Sequence, residues 1–259
     1  MYYSRGLEYI VGTYSSSYSS NVNYFSKHMD DDYRFGKTEP IVVEAQYTKT
    51  HNQNQYKNHD YSSAYAFEHS FTPQIFLNPS RPKARFIDDE ENVMSIIKET
   101  FELMVKEKIP ENISISILPF DEFKALHSIF GSWSNGILGF SINGKEKKVF
   151  VKENHLDELM IVIGHEIGHV FSETLPNKHD EEAKAFAFSI EWAKTIKRHD
   201  IANLGMSIKD ELDFKPARNG LHDVSLCFVD FMIRRGRKAI ELHDDLVRKY
   251  ISIFGTYSL

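Results

Sequence analysis

Residues 165–169, which read His-Glu-Ile-Gly-His, have the residue types and spacing of a metal site. On an α-helix, positions four apart lie one turn above each other, so both imidazoles can point the same way and share one Zn²⁺. Glu166 lies one step around the helix, where its carboxylate reaches water at the metal without being a ligand. The window therefore predicts His165 and His169 as zinc ligands and Glu166 as a general base; the alternative is a pair of structural histidines.

The flanking residues predict that this window lies on a buried helix. Apolar residues recur at helical spacing over 156–171, and acidic residues follow Asn154, the expected N-cap, in the first turn. Gly168 lies between the two histidines, and glycine costs about 1 kcal/mol relative to alanine in a helix. That cost requires a packing or functional reason, such as a neighbouring element that passes close beneath the metal.

A catalytic zinc site has three protein ligands and one open position, so a third ligand is needed. Ser172 and Leu175 occupy the positions where the metzincin pattern requires Gly and His, which excludes that class. A second helix is predicted over 179–196, after a turn at 176–177, and it begins with acidic residues.

Three of these acidic residues are candidates for the third ligand. Asp180 shares a helix face with Lys184 and is expected to face water, whereas Glu181 and Glu182 each begin an otherwise apolar stripe. A carboxylate directed into the interior is costly unless it is paired or bound to metal. We therefore rank Glu182 first, Glu181 second and Asp180 third. The alternative is that all three only interact favourably with the helix dipole.

This pattern resembles that of the gluzincin-type zinc metallopeptidases. Residues 165–169, followed by Glu-Ala-Lys-Ala-Phe-Ala-Phe at 182–188, resemble the immunity-repressor-cleaving (ImmA/IrrE-like) group in particular, over roughly residues 89–197. The resemblance implies a zincin-like fold, a third ligand from the Glu-rich helix and a substrate that binds along an edge strand above the metal. The chain departs from the group in its short linker between the two helices, and one alignment places Asp180 or a neighbour at the ligand position.

The remaining periodicity predicts an α+β fold with a small mixed sheet, an active-site helix and a helical C-terminal half, which the resemblance makes a zincin-like metallopeptidase fold. The strand over 136–142, or the one that follows, is the candidate substrate-binding edge. The helix at 221–233 is apolar enough to be core. The predicted elements are helices over 90–108, 121–130, 221–233 and 238–254, and strands over 113–118, 137–142 and 148–151.

Residues 1–85 differ in composition from the predicted catalytic domain at 86–259. They form a polar segment rich in Tyr, Ser and Asn, in which only 40–47 predicts a strand. The functional interpretations are an inhibitory pro-segment or a partner-recruiting arm, and the alternative is an extended wrapping of the catalytic domain.

Composition narrows the class of partners. The net charge of −6 gives no reason to expect nucleic acid or an anionic membrane, and the basic run at 234–238 is interpreted as a solvated helix junction. No stretch approaches 18 consecutive apolar residues, the first residues lack the features of a signal peptide, and Cys227 is the single cysteine. We expect a cytoplasmic protein that acts on a protein or peptide; the sequence leaves its oligomeric state open.

Together these features predict a zinc metalloprotease with one Zn²⁺ held by His165, His169 and Glu182. Glu166 would take a proton from the attacking water and pass it to the leaving amine. His222 or His243, on later helices, could stabilise the oxyanion, although each is more often structural. The alternatives are a non-catalytic, zinc-stabilised regulatory or binding protein on the same frame, and a metal-free interaction protein.

Overall fold

The structure is a computed structural model that describes residues 72–212 and 220–254, together with two short strands nearer the N-terminus. The chain divides into two compact units, one formed by Met1–Asp60 with Lys249–Leu259 and the other by Tyr61–Arg248. In the first unit, β1 (Asn23–Tyr24) pairs antiparallel with β2 (Ala45–Gln46), so two residues of the predicted strand at 40–47 are in a strand. Of the segment predicted at 1–85, residues 72–85 belong to the second unit; apart from β1 and β2, the rest lies outside the described ranges, so the pro-segment and arm interpretations stay predictions.

The second unit has an α+β architecture, which confirms the predicted class. Among the described residues of this unit, short 3-10 helices lie at Pro73–Ile75, Ile201–Asn203 and Gly205–Ser207. Its strands and α-helices, in chain order, are β3 (Phe86–Ile87), α1 (Met94–Val105), β4 (Ile113–Leu118), α2 (Phe120–Phe130), β5 (Gly139–Asn143), β6 (Lys147–Lys152), β7 (Asn154–His155), α3 (Leu156–Val170), α4 (Lys178–His199), α5 (Gly220–Arg234) and α6 (Ala239–Val247).

The second unit contains a three-stranded sheet with the strand order β4-β6-β5, in which β4 is parallel and β5 antiparallel to β6. Because successive side chains of a strand point to opposite faces, the alternating Ile-Ser pattern of β4 buries its isoleucines on one face. Helix α3 packs against β5 and β6. On the other side, Phe123 of α2 forms a separate apolar cluster with Phe140 and Phe150. The three-stranded sheet therefore has an apolar core on each face, and α3 lies in the core opposite the Phe123 cluster.

Helix α4 lies at the centre of the helical half, since α1, α3, α5 and α6 all pack against it. Trp192 on α4 is fully buried, and its Nε1 donates to the carbonyl of Met160 on α3 at 2.9 Å. A Cβ at Gly164 would lie 2.5 Å from the indole ring of Trp192, so only glycine fits there. A helix surrounded in this way is buried on nearly every face.

The first turn of α3 is anchored by residues that precede the sheet. Arg81 forms ion pairs with Asp157 and Glu158, and β3 pairs antiparallel with β7, directly before α3. The residue that caps α3 is His155 and not Asn154, whose side chain instead donates to Glu158 at 2.9 Å. The expected N-cap was therefore wrong by one residue.

Three other helix predictions need correction. Helix α1 ends at Val105 because Lys106 takes a left-handed conformation (φ 66°), and α6 ends at Val247 because Lys249 does the same (φ 60°). Helix α5 buries one face only, through residues such as Leu226 and Val229, and is not core throughout.

The basic run at 234–238 joins α5 to α6. Arg234 pairs with Asp230 and Lys238 with Glu241, so these cations have partners on their own helices. That arrangement agrees with the interpretation as a helix junction. Among the described residues, no helix combines the length and the apolar character needed to cross a membrane.

Candidate metal centre

Helix α3 holds the His-Glu-x-x-His window in the interior of the second unit. His165, Glu166 and His169 are all fully buried. The rings of His165 and His169, one turn apart, meet edge to face, with centroids 4.9 Å apart and planes at 88°. The sequence-predicted pair therefore lies side by side.

The Nδ1 atom of each imidazole lies within hydrogen-bonding distance of a side chain on α4. His169 Nδ1 lies 2.9 Å from a carboxylate oxygen of Glu181, and His165 Nδ1 lies 3.3 Å from the hydroxyl of Ser189. Because that hydroxyl donates its own hydrogen to the carbonyl of Ala185 at 2.6 Å, it accepts from His165. Both Nδ1 atoms are thus assigned as donors, which leaves each Nε2 with the lone pair that a metal requires.

Both Nε2 atoms face the carboxylate of Glu182 on α4. The distances are 3.6 Å from His165 to Oε2 and 3.9 Å from His169 to Oε1, and Glu182 is buried. Ligand atoms bonded to one tetrahedral zinc ion at about 2.0–2.2 Å lie about 3.3 Å from one another. The donor set of two imidazoles and one carboxylate fits zinc in chemistry. The 3.6 Å distance is close to that spacing and the 3.9 Å distance is longer; among the described residues, the group of potential ligands within 4.8 Å of one another consists of His165, Glu182 and His222, without His169.

The three acidic candidates for the third ligand have separate places. Glu182, ranked first, is the one beside both Nε2 atoms, whereas Glu181 lies behind His169. Asp180 is fully buried, so the expectation that it faces water was wrong. The start of α4 is covered by α5, where the hydroxyl of Ser225 lies 2.9 Å from the carbonyl of His179 and 2.8 Å from that of Leu221.

Lys184, which was also expected on a solvent face, is fully buried. Its ammonium has three acceptors: Glu181 at 2.9 Å, the carbonyl of His169 at 3.1 Å and the carbonyl of Glu173 at 3.0 Å. Lys184 therefore ties the end of α3 and the linker that follows it to α4. Burial lowers the pKa of Lys184, and the neighbouring carboxylate opposes that shift.

Glu181 is the carboxylate that links this ammonium to His169. Burial disfavours its ionised form most strongly, but His169, Lys184 and the backbone N–H of Leu175 outweigh burial, so the pKa of Glu181 lies below its ordinary value. A carboxylate in this state accepts a strong hydrogen bond from the Nδ1–H of His169. Glu181 is therefore an orienting residue for His169.

Gly168 and Asn143 explain how closely α3 and its linker pack. A Cβ at Gly168 would lie 2.9 Å from Cα of Ala185, which confirms the expectation that a neighbouring element passes close to the window. Asn143, the last residue of β5, donates to the carbonyls of His169 at 3.1 Å and of Ser172 at 2.8 Å. The strand end thus fixes the C-terminus of the motif helix.

Glu166 points towards β5, the strand beside α3. A Cβ at Gly139 would lie 3.0 Å from Oε1 of Glu166 and 2.7 Å from Val162, so the strand backbone passes directly over this carboxylate. Within the described residues β5 pairs with β6 alone, which makes β5 an edge of the sheet and β6 its centre. Of the two strands predicted as a substrate edge, only the first has an open side.

In the structure, His222 of α5 also lies at this site. Its Nε2 lies 3.2 Å from Oε2 of Glu182, and the ligand atoms of His165, Glu182 and His222 all lie within 4.8 Å of one another. The sequence named it only as a possible oxyanion-stabilising residue, and no local signal identified it as a ligand, because it lies 40 residues beyond Glu182 on another helix. His243 stacks on Phe171 with centroids 6.0 Å apart, away from this group, and burial lowers its pKa.

Comparisons of the chain with protein-family models, with curated proteins and with solved structures gave no match. Functional inference therefore depends on the chemistry of the described site.

Proposed function

We propose that this chain is a zinc-dependent metallopeptidase with a zincin-like fold, and that it hydrolyses peptide bonds. The observation that supports this most is the approach of two Nε2 atoms, one helical turn apart, to the carboxylate of Glu182, with both Nδ1 atoms held from behind. Buried charges persist in proteins when they are paired or coordinate metals. One Zn²⁺ held by His165, His169 and Glu182 would compensate the burial of the Glu182 carboxylate.

Glu166 is the proposed general base. A zinc ion in the site would lower the pKa of water to about 7 and polarise the scissile carbonyl. Glu166 takes the proton from the attacking water as its oxygen bonds to the carbonyl carbon. The same carboxylate then delivers that proton to the amine nitrogen as the carbon–nitrogen bond breaks.

The open edge of β5 is the proposed substrate-binding strand. An extended peptide that adds to a sheet edge is bound through main-chain hydrogen bonds, which place alternate side chains on opposite faces. Because the backbone of Gly139 lies directly over Glu166, a peptide along β5 brings its own backbone near that carboxylate. This arrangement favours a protein or peptide substrate.

The second candidate function is a non-catalytic, zinc-stabilised regulatory or binding protein on the same frame. It is favoured by His222, whose ring lies against the same carboxylate and offers a fourth donor. Structural zinc sites have four protein ligands, whereas catalytic sites keep one position open.

Zinc stoichiometry and peptide cleavage, measured on the same preparations, test the proposal. We expect one zinc per chain in the purified protein, and cleavage of a random-sequence peptide library followed by mass spectrometry. Glu166→Gln keeps the shape of the side chain but removes the base, so it should retain zinc and lose cleavage. Glu122→Gln, on the exposed side of α2, is the matched control and should retain both.

Three results would count against the proposal: no bound metal, full cleavage by Glu166→Gln, or zinc without cleavage of any library member. The last of these would favour the non-catalytic alternative. Glu182→Ala should lower zinc content strongly. Should Glu181→Ala lose zinc while Glu182→Ala keeps it, the third ligand is Glu181.

A further inference from the structure

His222 is held at the metal centre by the packing of α5 on α4. It lies in the first turn of α5, and the hydroxyl of Ser225, three residues further on, lies 2.9 Å from the carbonyl of His179 at the start of α4 and 2.8 Å from that of Leu221. Its ring meets Phe186 edge-on, with centroids 6.0 Å apart, and that phenylalanine also packs against His165 at 4.9 Å. The His222 ring is buried and points into the group formed by the other candidate ligands.

The contact of His222 is with the ligand carboxylate itself. Its Nε2 lies 3.2 Å from Oε2 of Glu182, the same oxygen that lies 3.6 Å from His165 Nε2. These distances bracket the spacing of about 3.3 Å expected between two ligands of a tetrahedral zinc ion. His169, by comparison, lies 3.9 Å from the other oxygen. His222 Nε2 therefore lies nearer to the Glu182 carboxylate than the Nε2 atom of either motif histidine.

An oxyanion-stabilising role would require a different position. A donor with that role lies about 2.7–3.1 Å from the substrate oxygen, beside the ion and not among its ligands. The ring of His222 contacts the ligand carboxylate instead, where an ion would bring its Nε2 into the coordination sphere. At this place the imidazole would add a fourth donor to the three-ligand set.

We propose that His222 is a fourth protein ligand, so that the ion is held by three imidazoles and one carboxylate and the site is closed while His222 stays in place. This inference rests on the metal-binding part of the proposed function. In the closed arrangement no position is left for a small exogenous ligand. Water could reach the ion, as the proposed peptide hydrolysis requires, only when the first turn of α5 moves away from Glu182.

Cobalt substitution tests this without any measurement of cleavage. The metal-stripped full chain is titrated with Co²⁺, whose visible absorption reports coordination number, and then with azide as a small anionic ligand. We expect wild-type protein to give a four-coordinate spectrum that azide does not change. His222→Ala should bind Co²⁺ at least tenfold more weakly, as expected for loss of a group at the ion, and its spectrum should respond to azide.

His127→Ala is the control for loss of a buried histidine, because His127 lies on the other side of the sheet beside Phe140. It should leave Co²⁺ affinity and the azide response unchanged. If His222→Ala does not fold, His222→Phe keeps the ring volume without a ligand atom and should give the same weak, azide-sensitive binding.

The inference is overturned if His222→Ala, or His222→Phe in its place, binds Co²⁺ as tightly as wild type, or if azide already changes the wild-type spectrum. Either result leaves the three-ligand site of the proposed function intact. A chain that binds no Co²⁺ overturns both. Closed, four-ligand binding without peptide cleavage supports His222 as a ligand and contradicts the peptidase proposal alone.

Discussion

Gly168→Ala tests whether the close approach of α3 and α4 sets the geometry of the candidate ligands. The added Cβ would lie 2.9 Å from Cα of Ala185, 3.0 Å from Cβ of Phe188 and 3.1 Å from the Ala185 carbonyl oxygen. Two of these atoms belong to the backbone of α4, so no side-chain rotation relieves the contact. The helix must retreat, and it carries Glu182 and Ser189 with it.

The expected change in stability combines two opposed contributions. Alanine is favoured over glycine in a helix by about 1 kcal/mol. Overpacking of a well-packed core costs about 1–3 kcal/mol. The free energy of unfolding should therefore fall by up to about 2 kcal/mol, measured by urea denaturation followed by circular dichroism. Zinc affinity, measured by competition with a chelator, should fall about tenfold or more because Glu182 and the partner of His165 are displaced together.

Gly220→Ala is the matched control, since a Cβ at this helical glycine would meet nothing within 4 Å. It should be neutral or slightly stabilising and should leave zinc affinity unchanged. If Gly168→Ala is instead about 1 kcal/mol more stable than wild type and binds zinc equally well, the two helices do not set the ligand geometry by contact at this residue.

Two further substitutions probe the residues that fix the linker after α3. Lys184→Met should lower the free energy of unfolding by about 3–5 kcal/mol, because it leaves the buried carboxylate of Glu181 without its cation. Lys194→Met, on the exposed side of α4, is the control and should change the free energy of unfolding little. An equal loss for both variants in urea denaturation would contradict this account. Asn143→Ala should lower the free energy of unfolding by about 1–3 kcal/mol through lost hydrogen bonds to the carbonyls of His169 and Ser172. It should also speed proteolysis within residues 171–177, and an unchanged cleavage rate would show that β5 does not hold the linker.

The elements around the site could be predicted because their side-chain patterns are local. The period-two alternation at 113–118 gives β4 with the same bounds, and the apolar repeat from Leu156 gives α3. Gly168 was recognisable as a point of close contact because glycine is unfavourable in a helix. Each of these signals is carried by residues within two or three turns of one another.

The burial of α4 could not be predicted in the same way. A helical wheel assigns Asp180 and Lys184 to a polar face, but α4 is surrounded by four other helices and its polar residues pair within the interior. His222 reaches the site through tertiary packing of α5, which no local pattern reveals. Glu182, which was ranked ahead of Glu181 because an inward carboxylate at the start of an apolar stripe needs a partner, lies beside the ring nitrogens, and its role as a ligand stays a prediction.

Because Ser189 and Glu181 fix the two imidazoles from behind, neither ring gives up rotational freedom when a cation arrives. The entropy of ordering these donors is lost when the chain folds, and not when the ion binds. A cation entering the proposed site would therefore meet these two donors already oriented. Imidazole and carboxylate donors also accept other divalent first-row metals, so coordination geometry and cellular supply decide which of them occupies it.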